Sequence, residues 1–333
     1  MNAIFLPDPS GWHGALPLPH LGVIQATGPD SATFLHSQLS QDIVLQPADQ
    51  ARLAAYCSAK GRMLASAVTL RPQDEVIWLV TDAGVLPGAL KRLSMFVLRA
   101  KTVLKDAGDQ ARVWGLAGRE LAAQLGLDLA TPAWHVQPWQ GGSLVRLPDV
   151  LNTPRWWWIG PADGAAWLQG QAPLSETAWR WLDVQSGVPH IEAATVDQFV
   201  PQMVNYELIG GVNFQKGCYP GQEIVARSQY RGTVKRRAVL VHADASLQAG
   251  QEVFSEADPQ QPAGLVIQSA AIPDGQGGQA AQGAGGIGHS ALIELKLQAW
   301  GTPLRVGSAE GPQLQPGTLP YPLPQLEAET APE

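Results

Sequence analysis

The chain is poor in cysteine, with only Cys57 and Cys218 in 333 residues. Two thiols make neither a disulfide framework nor a complete cysteine-rich zinc or cluster site. Charge is also sparse, at 15% against 45% apolar residues, a balance that argues against disorder along the whole length. No apolar run approaches the roughly 20 residues that a helix needs to span a bilayer. No Lys or Arg precedes Arg52, so the basic start of a signal peptide is missing and the cytoplasm is the expected location, without a membrane anchor. The seven histidines include no pair at i, i+3 or i+4, which leaves no compact metal-binding pattern, and no metal site is expected. A formal charge of −7 disfavours non-specific nucleic-acid binding, which works by neutralising phosphates.

What is present is enough apolar sequence for two or three domains. Gly22 to Thr27 reads as a strand, followed by turn residues at Gly28-Pro29-Asp30-Ser31 and a helix to about Leu39. Leu53 to Ser58, Arg62 to Leu70 and Glu75 to Thr81 read as strands, and Val85 to Leu98 as a helix with Leu86, Leu90, Leu93 and Val97 at helical spacing. Neighbouring strands without helical crossovers point to α+β. Ser175 to Ser186 reads as a helix with Ser175 as cap and Gly187 as stop. Its Trp179 and Trp181 point about 200° apart, so one packs into its own domain while the other faces a neighbouring domain, solvent or a ligand. Arg155-Trp156-Trp157-Trp158 reads as a buried strand rather than a stacking platform. After Gly232 come strands at Val234 to Ala243, Gly264 to Ala271, Ala291 to Leu297 and Pro303 to Val306, as in a small β-barrel or sandwich. A Gly-, Gln- and Ala-rich loop at 275–288 and a loose tail over 324–333 complete the reading.

The chemistry concentrates in Lys216-Gly217-Cys218-Tyr219-Pro220-Gly221-Gln222-Glu223. Pro220-Gly221 suits the two central positions of a type II turn, and Gln222 to Tyr230 can continue as a short helix. Cys218 then stands beside Lys216 and near a helix N-terminus, both of which favour thiolate over thiol, while Glu223 works against them. By spacing alone the alternative of an inert cysteine in an ordinary turn stays open.

This string, with Ile224-Val225-Ala226-Arg227 and Tyr230-Arg231-Gly232 behind it, resembles the signature of the YgfZ family of folate-binding proteins and of their mitochondrial iron–sulfur assembly relatives. Other stretches resemble the family in the same order: Thr27 to Ser31 with Phe34-Leu35 and Gln38, Cys57 to Met63, Phe199-Val200-Pro201-Gln202 with Asn205 and Gly210-Gly211, and Leu319-Pro320-Tyr321. The resemblance implies an α+β, multi-domain fold like that of the glycine-cleavage T-protein (aminomethyltransferase), with a folate-binding region over 1–232, probable interleaving of two subdomains within it, and a C-terminal β-barrel over 233–323. The implied role is a monomeric accessory factor that binds tetrahydrofolate and supports iron–sulfur enzymes, including tRNA-modifying ones, through a thiol at the mouth of a pterin pocket. Cys218 and Lys216 would carry the chemistry, with a transient iron–sulfur cluster as cargo. Trp179, Leu21, Asn205, Tyr219, Gln222, Glu223 and Arg227 would hold the folate. Leu21 stands where the family has an aromatic contact, and Trp179 also reads as ordinary core packing.

Two other functions fit the residues. One is a folate-dependent aminomethyl transferase, but Pro201-Gln202-Met203-Val204 lacks the carboxylate of the transferases' Pro-x-Glu-Ala segment, leaving Glu207 or Asp197 to compensate. The other is RNA binding through Arg227, Arg231, Lys235, Arg236 and Arg237, a group that equally fits a solvated face or a site for the folate tail.

Overall fold

The computed structural model describes residue 4 and residues 6–230, 234–274 and 288–324. The junction at 231–233, the expected loop except Gly288, and the tail beyond 324 lie outside the described residues. The N-terminal part runs through β1 (Gly14–Pro17), β2 (Leu21–Thr27), α1 (Ser31–Gln38), β3 (Arg52–Cys57), β4 (Met63–Gln73), β5 (Val76–Asp82), α2 (Leu86–Met95) and β6 (Val103–Asp106). Next come β7 (Arg112–Ala117), α3 (Arg119–Leu125), β8 (Val136–Trp139), β9 (Gly142–Val150), β10 (Thr153–Gly160), α4 (Glu176–Gln185) and α5 (Gln222–Tyr230). The last part is β11 (Arg236–Ala243), β12 (Glu252–Ser255), β13 (Asp258–Ala271), β14 (His289–Lys296), β15 (Leu304–Val306) and β16 (Gln313–Pro316).

These strands form two five-stranded sheets, ordered β3-β4-β5-β2-β6 and β1-β7-β10-β9-β8, and a closed barrel ordered β11-β14-β13-β12-β15-β16. Every pairing between named strands is antiparallel, so the α+β class holds. β10 is buried along its length, as expected for the tryptophan run. The sequence reading missed β1, β12, β16 and the first half of β13, and it set no bounds for β6, β7, β8 and β9. The missed segments are short or rich in Gln and Pro; β7 holds β1, β11 holds β16 and β15 holds β12 from far along the chain, while the first half of β13 pairs with its neighbour β12.

α4 joins the three units. Ser175 Oγ accepts the Ala178 amide at 3.1 Å as its cap, and the helix stops at Gly187, whose φ is +67°. Its two tryptophans do separate, and both rings are fully buried. Trp179 presses on β7 at Gly115, where any Cβ would come within 2.7 Å of the ring. Trp181 faces the barrel, donating Nε1–H to Ser290 Oγ at 2.9 Å. Ser290 Oγ also lies 2.8 Å from His242 Nδ1. The hydroxyl accepts from Trp181 and still has a second lone pair and its own hydrogen, so it can serve either tautomer of His242.

Burial pulls His242 down to about 4. His20 is likewise pulled down to about 4, by burial and then Arg180. A folded-state value below the unfolded 6.5 means that the unfolded chain binds the proton more readily. The stability this contributes is complete above pH 6.5 and is lost as pH falls toward 4. Glu192 has the opposite sign, raised to about 7 by burial and Asp82, so it gains stability as pH falls from 7 toward 4.5. His242→Gln, which keeps an acceptor for Ser290, is expected to flatten the fall of melting temperature between pH 6.5 and 4. An unchanged slope would remove His242 from the acid response.

Candidate functional site

Cys218 is exposed, on a loop whose form follows from its sequence. The Gln222 amide donates to Tyr219 O at 3.2 Å across Pro220-Gly221, and Gly221 has φ +80°, the type II geometry that favours glycine at the second central position. A Cβ at Gly221 would also lie 2.4 Å from Ser58 O and 2.6 Å from Gly61 Cα. The Cys218 loop and the Cys57–Met63 loop therefore interlock backbone against backbone. Gly221→Ala is expected to destabilise the fold by well over 1 kcal/mol, read as a lowered urea midpoint, because strain and a backbone clash coincide.

Further contacts draw in the remaining stretches that resemble the family. The Met63 amide donates to Phe199 O at 2.7 Å, and Gln202 Nε2 donates to Val225 O at 2.7 Å. Asn205, left-handed at φ +60° and fully buried, donates Nδ2–H to Ala238 O at 2.8 Å and to Tyr321 Oη at 3.3 Å. Tyr321 in turn donates to Gly187 O at 2.7 Å. Asn205 thus ties β11 and the Leu319–Tyr321 segment to the body.

Lys216, expected beside the thiol, is held by the end of α1. Its side chain is buried, donating to Leu39 O at 2.8 Å and to His36 O, the last carbonyls of α1. It also lies 4.9 Å from the centre of the Tyr219 ring. Burial pulls the ammonium down to about 8, with Asp42 and Cys218 opposing. Lys216 anchors the loop, and Tyr219 is buried beneath it.

His36, which sequence reasoning missed, packs beside Gly217, the residue before Cys218. Its Nδ1 is 3.1 Å from Asp42 Oδ1, and its Nε2 is 3.5 Å from where a Gly217 Cβ would sit. Burial opposes ionisation of Asp42, but the Leu45 amide, His36 and Arg52 outweigh it and hold the carboxyl below its usual value. No spacing rule links His36 to a loop so far along the chain. Gln222 is half-buried in the first turn of α5, with Glu223 and Arg227 exposed on that helix. Cys57 is inert, pushed up to about 12 by burial and Asp197.

The cations from Arg227 to Arg237 do not form one free patch. Arg236 Nη1 lies 2.7 Å from both carboxylate oxygens of Glu294, Arg237 is buried in a pair with Glu207, and Arg231 lies outside the described residues. Two of the charges are therefore spent within the fold.

A small cavity of about 40 Å³ opens where the end of β5, the start of β2, α4 and the barrel meet. Leu21 lines it with His20, Asp82, Arg180, Asp183 and Glu192. His20 Nδ1 is buried there without a hydrogen-bond partner. Neither Trp179 nor any residue of the Cys218 loop lines this cavity. Trp179 stands one layer behind it: Arg155 sits 5.3 Å from its ring centre and pairs at 2.7 Å with Asp183. The single expected site is thus two places, a surface thiol and a cavity at the three-way junction.

No family model matches the chain. The fold is that of aminomethyltransferase: the glycine cleavage system aminomethyltransferase T from Bartonella henselae superposes with a TM-score of 0.70 at 17% identity, over 94% of this chain and 87% of that one. In sequence, the tRNA-modifying protein YgfZ of Edwardsiella ictaluri is 31% identical over 98% of this chain and 99% of its own. The protein of the same name from Cronobacter sakazakii is 31% identical over 75% and 78%. The chain belongs to the YgfZ family. Among the described residues, no helix is long and apolar enough to cross a membrane.

Proposed function

We propose that this protein is a cytoplasmic, tetrahydrofolate-binding accessory factor for iron–sulfur enzymes, tRNA-modifying ones included, acting through Cys218. The observation that carries the reading is the exposed thiol on a loop locked by Lys216 and Gly221. Such a loop presents sulfur to another macromolecule without moving the core. Among the described residues no three His, Cys, Asp or Glu side chains converge as metal ligands. A cluster handled at Cys218 would therefore take its other ligands from the partner that delivers or receives it. The folate-binding part is assigned to residues 1–232, with the barrel over 233–323 closing one side of the cavity.

The chemistry of the residues around this cavity suits folate, which would enter once the junction opens wider than in this structure. Leu21 offers an apolar wall and Arg180 a cation for the glutamate tail. Asp183 and Glu192 offer carboxylates for the amino-pyrimidinone edge, and His20 Nδ1 lacks a partner. Bound tetrahydrofolate would supply one-carbon chemistry. The chain's own part is to orient it and keep it from water. The transferase reading is weaker because both substitute carboxylates are engaged. Glu207 is paired with buried Arg237, and Asp197 accepts from Ser58 at 2.9 Å.

Tetrahydrofolate at 100 times its Kd is expected to add about 2.7 kcal/mol of stability, seen as a raised melting temperature. Leu21→Trp, restoring the family's aromatic residue, is expected to tighten binding, and Asp183→Asn to weaken it. If tetrahydrofolate does not move the melting temperature, folate drops out of the proposal.

A further inference from the structure

From residue 83 to residue 105 the chain carries Lys91, Arg92, Arg99, Lys101 and Lys105 and no acidic residue, in a protein of formal charge −7. All five cations are exposed. Among the described residues none of them enters an ion pair. The same stretch exposes large apolar groups, with Met95 67%, Phe96 44%, Leu98 85% and Val103 66% accessible. They run from the last turn of α2 to β6, the outermost strand of its sheet, which pairs with β2 along one side only. Leu104 packs into the cluster under α2, so strand alternation places Val103 and Lys105 on the opposite face. Apolar and basic side chains therefore flank an open strand edge.

We infer that this edge, with the tip of α2, is a docking surface for an extended acidic segment of another protein, one whose carboxylate and apolar side chains take turns along a single face, at every second residue. An added strand would use the main-chain groups of β6, its apolar residues would cover Leu98 and Val103, and its carboxylates would meet Lys101 and Lys105. The open main-chain groups of β6 favour an added strand over RNA or a bilayer, and Phe96 alone is a narrow stacking surface for bases. A second copy of the same edge would bring like charges together. The inference does not rest on folate or Cys218.

The full chain would be titrated against a dye-labelled ten-residue peptide repeating glutamate, serine, valine, serine, which sets glutamate and valine along one face, followed by fluorescence anisotropy, with a peptide carrying lysine in place of glutamate as control. The acidic peptide is expected to bind at least tenfold more tightly than the control and to slow hydrogen exchange over 103–106. Leu98→Ser with Val103→Ser, and separately Lys101→Glu with Lys105→Glu, should each weaken it at least tenfold without lowering the melting temperature. Binding that ignores both double variants would overturn the inference. So would bulk tRNA or phosphatidylglycerol vesicles binding through these residues while the acidic peptide does not.

Discussion

Cys218→Ala is expected to leave the melting temperature and tetrahydrofolate binding unchanged while abolishing rescue of iron–sulfur enzyme activity in a strain lacking the protein. The thiol is exposed and lines no part of the cavity, and a surface substitution of this kind shifts stability by no more than about 0.5 kcal/mol. The loop's form rests on other residues, namely Lys216 on the end of α1, the Pro220-Gly221 turn and the interlock with Gly61. Loss of function with an intact fold would assign the role to the sulfur itself. Full rescue by the alanine variant would remove Cys218 from the mechanism, whatever happened to folate binding.

Asp183→Ala is expected to cost about 3–5 kcal/mol, because it leaves the charge of Arg155 buried and unpaired. Arg155 is 2% exposed, and its Nε already lacks a partner. Among the described residues the carboxylate of Asp183 at 2.7 Å is its sole ion-pair partner, although the guanidinium also lies over the Trp179 ring. The measurement is the urea midpoint, with an unchanged m-value showing that the unfolding transition is the same. Replacing both partners by apolar residues, Arg155→Met with Asp183→Leu, should recover most of the loss, since no buried charge then remains. If the double variant is as unstable as Asp183→Ala, the cost lies in packing against Trp179 rather than in the orphaned charge.

Much of this was legible in sequence where the chemistry is local. Pro220-Gly221 specified its turn because the ring of one and the positive φ of the other leave few alternatives. Ser175 and Gly187 bounded α4 through a cap and a left-handed stop. The angle between Trp179 and Trp181 foretold two different partners, because helical geometry alone separates them. Tertiary structure decided the rest. Lys216 is adjacent to the thiol in sequence, yet its ammonium turns to the end of α1, whose carbonyls needed donors. Arg236 and Arg237 look like free surface charge until Glu294 and Glu207 arrive from other segments. Leu21 reaches the cavity and Trp179 only its second layer because Arg155 and Asp183 stand between. Turns, caps and helix faces depend on neighbours within a few residues, which the sequence carries directly. Where a long side chain sends its charge depends on which distant groups packing brings within about 3 Å, and only the folded chain settles that.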